Sequence, residues 1–123
     1  MGKYIIDKVE NVIERGTALS EKVESKKITL NNYQSAKVVI TTGEGETATT
    51  KASVVAILPD ATEEVVKDVE ITIGENAESI VNIVADEIAK KDAITCKVVI
   101  DAVADTTVTC GAVAILSDAR YSE

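Results

Sequence analysis

Two cysteines and two small groups of acids are the side chains of this 123-residue chain best placed to do chemistry. The chain contains no histidine. The usual general base and the commonest transition-metal ligand are therefore missing, and a Ser-His-Asp arrangement is impossible. Cys96 and Cys110 could form a cross-strand disulfide or a redox pair. Thirteen residues separate them, and with no histidine that spacing does not make a zinc site. The acids fall into Asp60, Glu63 and Glu64 in one group, and Asp101 and Asp105 in the other. Paired carboxylates can exchange protons, or hold Ca²⁺ or Mg²⁺ weakly, but neither spacing resembles an EF-hand loop. Both groups sit at expected turns or connections, where acids are ordinarily just solvated. No dinucleotide or phosphate-cradling glycine motif occurs, and Gly43-Glu44-Gly45 carries an acid where a phosphate would have to bind. The residues thus point to no catalytic centre, no metal site and no cofactor, and to a protein that is not an enzyme.

The elements that would carry these residues are mostly strands. Residues 35–40 (S-A-K-V-V-I) nearly recur as 95–100 (T-C-K-V-V-I), and 54–61 (V-V-A-I-L-P-D-A) as 112–119 (A-V-A-I-L-S-D-A). Six of eight positions agree in the second pair, and the order is kept. Each copy is an apolar run, a polar stretch and a second apolar run, which predicts two similar hairpins, 36–58 and 96–116. A turn about Glu44 would oppose Ala36 to Ala52, and a turn about Val103 would oppose Cys96 to Cys110. The alanine pair indicates that this slot wants small side chains, so the cysteines read as small buried residues and not as a bond.

Further strands are expected around Val23, around Ile28–Leu30, over 68–73, and over 79–84 with a helical turn after it. Val54 to Leu58 is apolar on both faces and should be central or covered. Residues 62–67 read as a polar connection with room for a helical turn. At the N-terminus, Ile5, Val9, Val12 and Ile13 draw one stripe at helical spacing, which predicts a short helix over 3–14 with Gly16 as its stop. The expected organisation is that helix within 1–16 and a single domain over 17–123. The fold class is mainly β, a sandwich or jelly-roll-like body of about eight strands.

Composition narrows the function classes. Hydrophobic residues make up 46% and aromatic ones 2%, with no Phe or Trp. The core must be built from Val, Ile, Leu and Ala, which bury less area each than aromatics. Such a core is thin unless a neighbouring subunit covers a face, which favours a homo-oligomer. The net charge of −8 and the scattered Lys and Arg disfavour nucleic acid. No run reaches the roughly 18 apolar residues of a membrane span. The first residues lack the long apolar stretch of a signal peptide, which places synthesis in the cytoplasm.

The stretch Gly111-Ala112-Val113-Ala114-Ile115-Leu116-Ser117-Asp118-Ala119-Arg120-Tyr121 resembles the ending of small structural proteins from tailed bacteriophages and prophages. In those, an apolar strand runs into a short loop and an Arg-Tyr. Leu30-x-x-Tyr33-x-x-Ala36-x-Val38-Val39-Ile40 is similar to their leucine–tyrosine element before a strand, and Val84-Ala85-Asp86-Glu87-Ile88 to the acidic turn before their penultimate strand. The resemblance spans residues 28–121 loosely. The chain departs from the pattern in its expected N-terminal helix and in its lack of aromatics within the strands. What the resemblance implies is a β-rich virion component of the head, a decoration or minor capsid protein, bound to copies of itself and to a major capsid or other virion protein. Arg120 and Tyr121 are then the first candidates for partner contact, because Arg and Tyr join contact area to directional hydrogen bonds. The stripe of Ile5, Val9, Val12 and Ile13 is the second candidate surface. The competing reading is a small bacterial β-sandwich binding module, adhesin-like or carbohydrate-binding. The scarcity of aromatic rings for sugar stacking counts against it.

Overall fold

Alternating apolar residues and turn chemistry build two antiparallel sheets facing each other across an aliphatic core. The computed structural model describes residues 8–30, 33–89 and 93–119. The strands are β1 (Lys8–Ala18), β2 (Val23–Glu24), β3 (Ile28–Thr29), β4 (Tyr33–Thr42), β5 (Ala48–Ile57), β6 (Glu63–Ile73), β7 (Glu78–Val84), β8 (Thr95–Ile100) and β9 (Thr109–Ala119), with one short helix, α1 (Ala85–Ala89), among the described residues. Sheet A runs β1-β9-β4-β7 and sheet B runs β2-β8-β5-β6, with β3 also paired to β8. No helix among the described residues is long and apolar enough to cross a membrane.

The near-repeat takes a form different from the expected hairpins. β4 pairs with β9 and β7, while β5 pairs with β8 and β6. Residues 36–58 and 96–116 are therefore two arches, each carrying the chain from one sheet to the other. The four strands of the repeat form the central pair of each sheet. Large side chains stand opposite small ones there: Leu116 opposite Ala36 and Ile40 opposite Ala112 in sheet A, and Ile100 opposite Ala52 in sheet B. This alternation fills an interior that has no aromatic ring. The largest fully buried side chains include Leu19, Ile28, Ile40, Ile73, Ile83, Ile88, Ile100 and Leu116.

An arch suits this sequence because the inward side of β4 is apolar (Ala36, Val38, Ile40) and must be covered at once by a facing sheet about 10 Å away. The crossing loops brace one another. Gly43 N donates to Thr109 O at 2.9 Å, Asn76 N to Gly43 O at 3.0 Å and Glu75 N to Gly45 O at 3.1 Å. Thr42 Oγ1 accepts from Gly74 N at 3.1 Å and donates to Ala77 O at 2.9 Å. Gly74 has φ +91, and a Cβ there would sit 2.5 Å from Glu46 O, so both space and conformation require glycine.

The expected N-terminal helix is corrected over its described part: residues 8–14 belong to β1, paired antiparallel with β9. Ile5 lies outside the described residues. A bulge between Asn11 and Ile13 turns two consecutive residues, Val12 and Ile13, inward. Two neighbours buried together broke the period of two and imitated a helical stripe. Gly16, with φ +90, belongs to a second irregularity between Ile13 and Thr17 and caps no helix. The expected boundary at 16/17 falls inside β1.

The connection expected over 62–67 is also strand. Glu63, Glu64 and Val65 pair with Ile57, Ala56 and Val55, because β5 needs a hydrogen-bonding neighbour on that side. Charged residues suit an edge strand. The short strands at Val23 and Ile28, the strand over 78–84 and the helical turn after it are found where the pattern puts them.

Candidate protein-interaction surface

The outward side of sheet A combines the right side chains and exposure for a contact face. Its strands are apolar on both sides. Inward lie Ala36, Val38, Ile40, Val81, Ile83, Ala112, Ala114 and Leu116, all buried. Outward, Val113 stands opposite Val39, and Val39 opposite Ile80, giving one apolar row across three strands. The next row joins Val9, Ile115, Lys37 and Asn82, and the one beyond it Ser117, Ser35 and Val84. Val9 is 64% exposed, Ile80 49% and Val84 42%, three of the five exposed large hydrophobics among the described residues. In the rows from Ser35 to Thr41 the charged side chains on β4, β7 and β9 are Lys37 and Glu78. On β1, Arg15 backbone crosses over Gly111 in the Thr41 row, and Arg15 and Glu14 add charge at that corner of the sheet.

Sheet B presents the opposite character. Glu24, Glu63, Asp68 and Glu70 share its outer side with Lys51 and Lys97. Lys97 Nζ donates to Glu24 Oε1 and, at 3.0 Å, to Glu63 Oε2, tying β8 to both edges of the sheet. Those two hydrogen bonds hold the Lys97 ammonium above its ordinary pKa, and the bond from Lys97 lowers Glu24. Ser53 Oγ donates to Asp68 Oδ1 at 2.6 Å, and Lys51 lies 3.9 Å from Asp68 and 3.8 Å from Asp101. Beneath this net Val55, Ile57 and Val99 are buried, so the two-sided apolar run of β5 is covered within its own chain.

The other sequence candidates separate. Cys96 stands opposite Ala56 and Ile28 in sheet B, and Cys110 opposite Thr42 and Thr17 in sheet A. The expected opposition of Cys96 to Cys110, and of Ala36 to Ala52, is corrected, since each pair is split between sheets. Both thiols are free and buried, and burial pushes Cys96 up to about 12 and Cys110 up to about 11. Glu63 and Glu64 are consecutive in a strand and point to opposite sides. Asp60 accepts from Thr62 N at 3.0 Å, a turn-forming bond that lowers its pKa. Asp101 is drawn to Lys51, and Asp105 sits in a turn with φ 59. Among the described residues no three potential ligands converge on one point.

Of the contact candidates, Val9 is on the outer side of sheet A, whereas Val12 and Ile13 are buried. Ile5, Arg120 and Tyr121 lie outside the described residues. The sequence reading missed Val39, Ile80, Val84, Val113 and Ile115. Their signal was present: Val38-Val39-Ile40 and Ala112 to Leu116 are apolar at both parities, which marks a strand covered on both sides. A groove of about 840 Å³ also opens at the irregular part of β1, walled by Arg15, Lys26, Thr41, Asn76 and Thr109 among others.

No family model matches the chain, and no curated protein does. Among solved structures it is similar to the SPBc2 prophage-derived protein YomS, at 8% identity and TM-score 0.55, over 94% of this chain and 97% of that one. It also aligns with a chain in the structure of infectious bursal disease virus Gx strain, at 9% identity and TM-score 0.45, over 94% of this chain and 32% of that one. The likeness to the prophage-derived protein shows a shared fold.

Proposed function

We propose that this chain is a non-enzymatic structural protein of a phage or prophage, made in the host cytoplasm and carried in the virion. It acts through protein–protein contacts, as a head decoration or minor capsid component bound to itself and to a major capsid or other virion protein. The observation that carries this reading is the apolar set of Val9, Val39, Ile80, Val84, Val113 and Ile115 on the outer side of sheet A of an otherwise strongly acidic protein. Exposed apolar patches of this kind mark contact sites.

The fold shared with a prophage-derived protein supports it. The topology supports it too. β2 and β3 pair with β8 in nearly continuous register and count as one interrupted strand. The body is then two four-stranded sheets whose successive strands cross from one to the other, except at β5–β6, an order that fits the jelly-roll reading, a class that includes capsid as well as lectin domains. Arg120 and Tyr121, next in sequence after β9, remain candidates for partner contact under this reading. A shell repeats every site many times, so a weak single contact suffices.

Quantitative mass spectrometry of particles purified from an induced host carrying this gene tests the assignment. The chain should be present in stoichiometric amounts. An Ile80→Asp variant that melts like the wild type should be depleted several-fold. Particles lacking the chain would overturn the assignment.

A further inference from the structure

We propose that the open edge of β7 takes up an extended segment of a partner protein, antiparallel, as a further strand of sheet A, and that this segment alternates basic residues with apolar ones. The inference goes beyond the contact-face reading, because it rests on the backbone of one edge strand.

The sheet edges are unlike. β1 is broken by two register shifts. β6 has a bulge at Val66 and carries Glu63, Glu64, Lys67, Asp68 and Glu70. β2 and β3 are two residues each. All three edges are thus blunted against pairing, and β7 is not. Its seven residues pair with β4 without a shift, and its one charged residue, Glu78, stands at its start.

Backbone direction makes this edge a template. Thr42 N donates to Ala77 O at 2.9 Å, which fixes the phase of the β4–β7 ladder. Bonded and non-bonded pairs alternate along an antiparallel ladder. Ser79, Val81 and Ile83 therefore turn N–H and C=O to β4, and Glu78, Ile80 and Asn82 turn theirs away. No other described residue bonds to the backbone of Ile80 or Asn82. Free N–H and C=O groups recurring every ~7 Å are what a further strand satisfies.

The neighbouring side chains set the composition of that strand. β6 runs beside β7 in the facing sheet. Ser79 Oγ donates to Thr72 O at 3.5 Å near one end, and Lys67 Nζ donates to Glu87 Oε1 at 3.1 Å near the other. Val69 pairs with the buried Ala52, on the inward side of β6, yet Val69 and Val66 are only partly buried. A strand beyond β7 would overhang both valines and cover them with its inward, apolar residues.

Charge sets the rest. Glu64, Glu70, Glu75 and Glu78 border this edge in no ion pair among the described residues. α1 adds Asp86 and Glu87, the latter held by Lys67. Against these acids stands Lys37 on β4. Arg15 and Glu14 belong to β1, three strands and ~14 Å away. The edge therefore favours a segment bearing Lys or Arg. A second copy of this chain would bring a further −8 and set the acids of β6 beside their own copies.

In an antiparallel strand, the residues opposite Ile80 and Asn82 share their outer side and bond to them through both N–H and C=O. The basic residues are then the bonded ones, and the apolar residues turn N–H outward. Amide hydrogen exchange of the full chain by NMR, at low salt, with the probe acetyl-Lys-Val-Lys-Val-Lys-Val-Lys-amide at up to millimolar concentration, tests this. In the free chain, Ile80 and Asn82 should exchange about tenfold or more faster than Val81 and Ile83. The probe should slow Ile80 and Asn82 several-fold. Its glutamate counterpart should bind about tenfold or more weaker. The probe N-methylated on its lysines should leave both amides fast, and the probe N-methylated on its valines should still slow them. Both methylated probes keep the charge, so general attraction to an acidic protein does not separate them. Ile80 and Asn82 already as slow as Val81, no slowing by the probe, an equal effect of the glutamate peptide, or equal effects of the two methylated probes would each overturn the proposal. If the probe pairs and the chain enters no particle, the virion assignment falls and the edge stands. If the chain enters particles and the probe does not pair, the edge falls and the assignment stands.

Discussion

Burial sets the state of the two thiols, and polar partners set that of the acids. Cys96 and Cys110 lie in different sheets, and apolar surroundings keep both protonated, at about 12 and about 11 against an ordinary 9. The unfolded chain releases these protons near 9 and the native state holds them to higher pH. Their contribution to stability is whole below pH 9 and is lost as pH rises toward the native values, by up to ~1.4 kcal/mol per pH unit and thiol. Urea midpoints should fall between about pH 9 and about pH 10.5, and a Cys96→Ala, Cys110→Ala variant should show a shallower fall. An equal slope in that variant would assign the effect to other groups.

Position along β1 gives a sharper contrast. Val12→Asp places a charge in the core and should cost at least ~2 kcal/mol. Val9→Asp, three residues away on the outer side, should stay within ~0.5 kcal/mol at monomer concentrations. A helix over 3–14 would give the two residues one fate, since they share its stripe. Gly74→Ala should destabilise by more than ~1 kcal/mol, because φ is positive there and Glu46 O blocks the added methyl. Chemical unfolding measures all three.

Strands were legible from the sequence to the extent that they alternate. Tyr33–Thr42 and Glu78–Val84 keep the period of two and were found close to their limits. β1 departs from that pattern because its bulge buries Val12 beside Ile13, and β6 because its first half is charged, with Glu64 exposed and Glu63 tied to Lys97 across the sheet. Pairing was less legible than strand identity. Two apolar runs joined by Gly43 to Thr47 fit a hairpin and an arch equally, since the turn signals are the same. What separates them is which face each run must cover, a property of the whole sandwich. The large-opposite-small alternation of Leu116 with Ala36 and Ile40 with Ala112 could be recognised only after the strands were known to be neighbours. Ile40→Ala puts small opposite small in that pair and should cost about 2–5 kcal/mol in urea unfolding. A loss under 1 kcal/mol would mean that β4 and β9 are not packed as described.

The whole molecule has two unlike sides. Sheet B closes Val55, Ile57 and Val99 under ion pairs led by Lys97 and exposes Val65 on its edge strand, whereas sheet A leaves Val9, Ile80 and Val84 to solvent. The expectation that an aliphatic core would want a face covered by a neighbour came from composition. Which face could not be read there, because Val39 and Val55 look alike in sequence. They differ only in what stands beside them: Ile80 and Val113 around one, the Lys97 net over the other.

Hydroxyl-radical footprinting of free protein against assembled particles tests that distinction most directly. Oxidation of Val9, Ile80 and Val84 should drop several-fold on assembly, while Val65 on sheet B and Ile94 ahead of β8 keep the rates of the free chain. Protection of Val65 or Ile94 with Val9, Ile80 and Val84 left reactive would contradict the assignment of sheet A as the contact face.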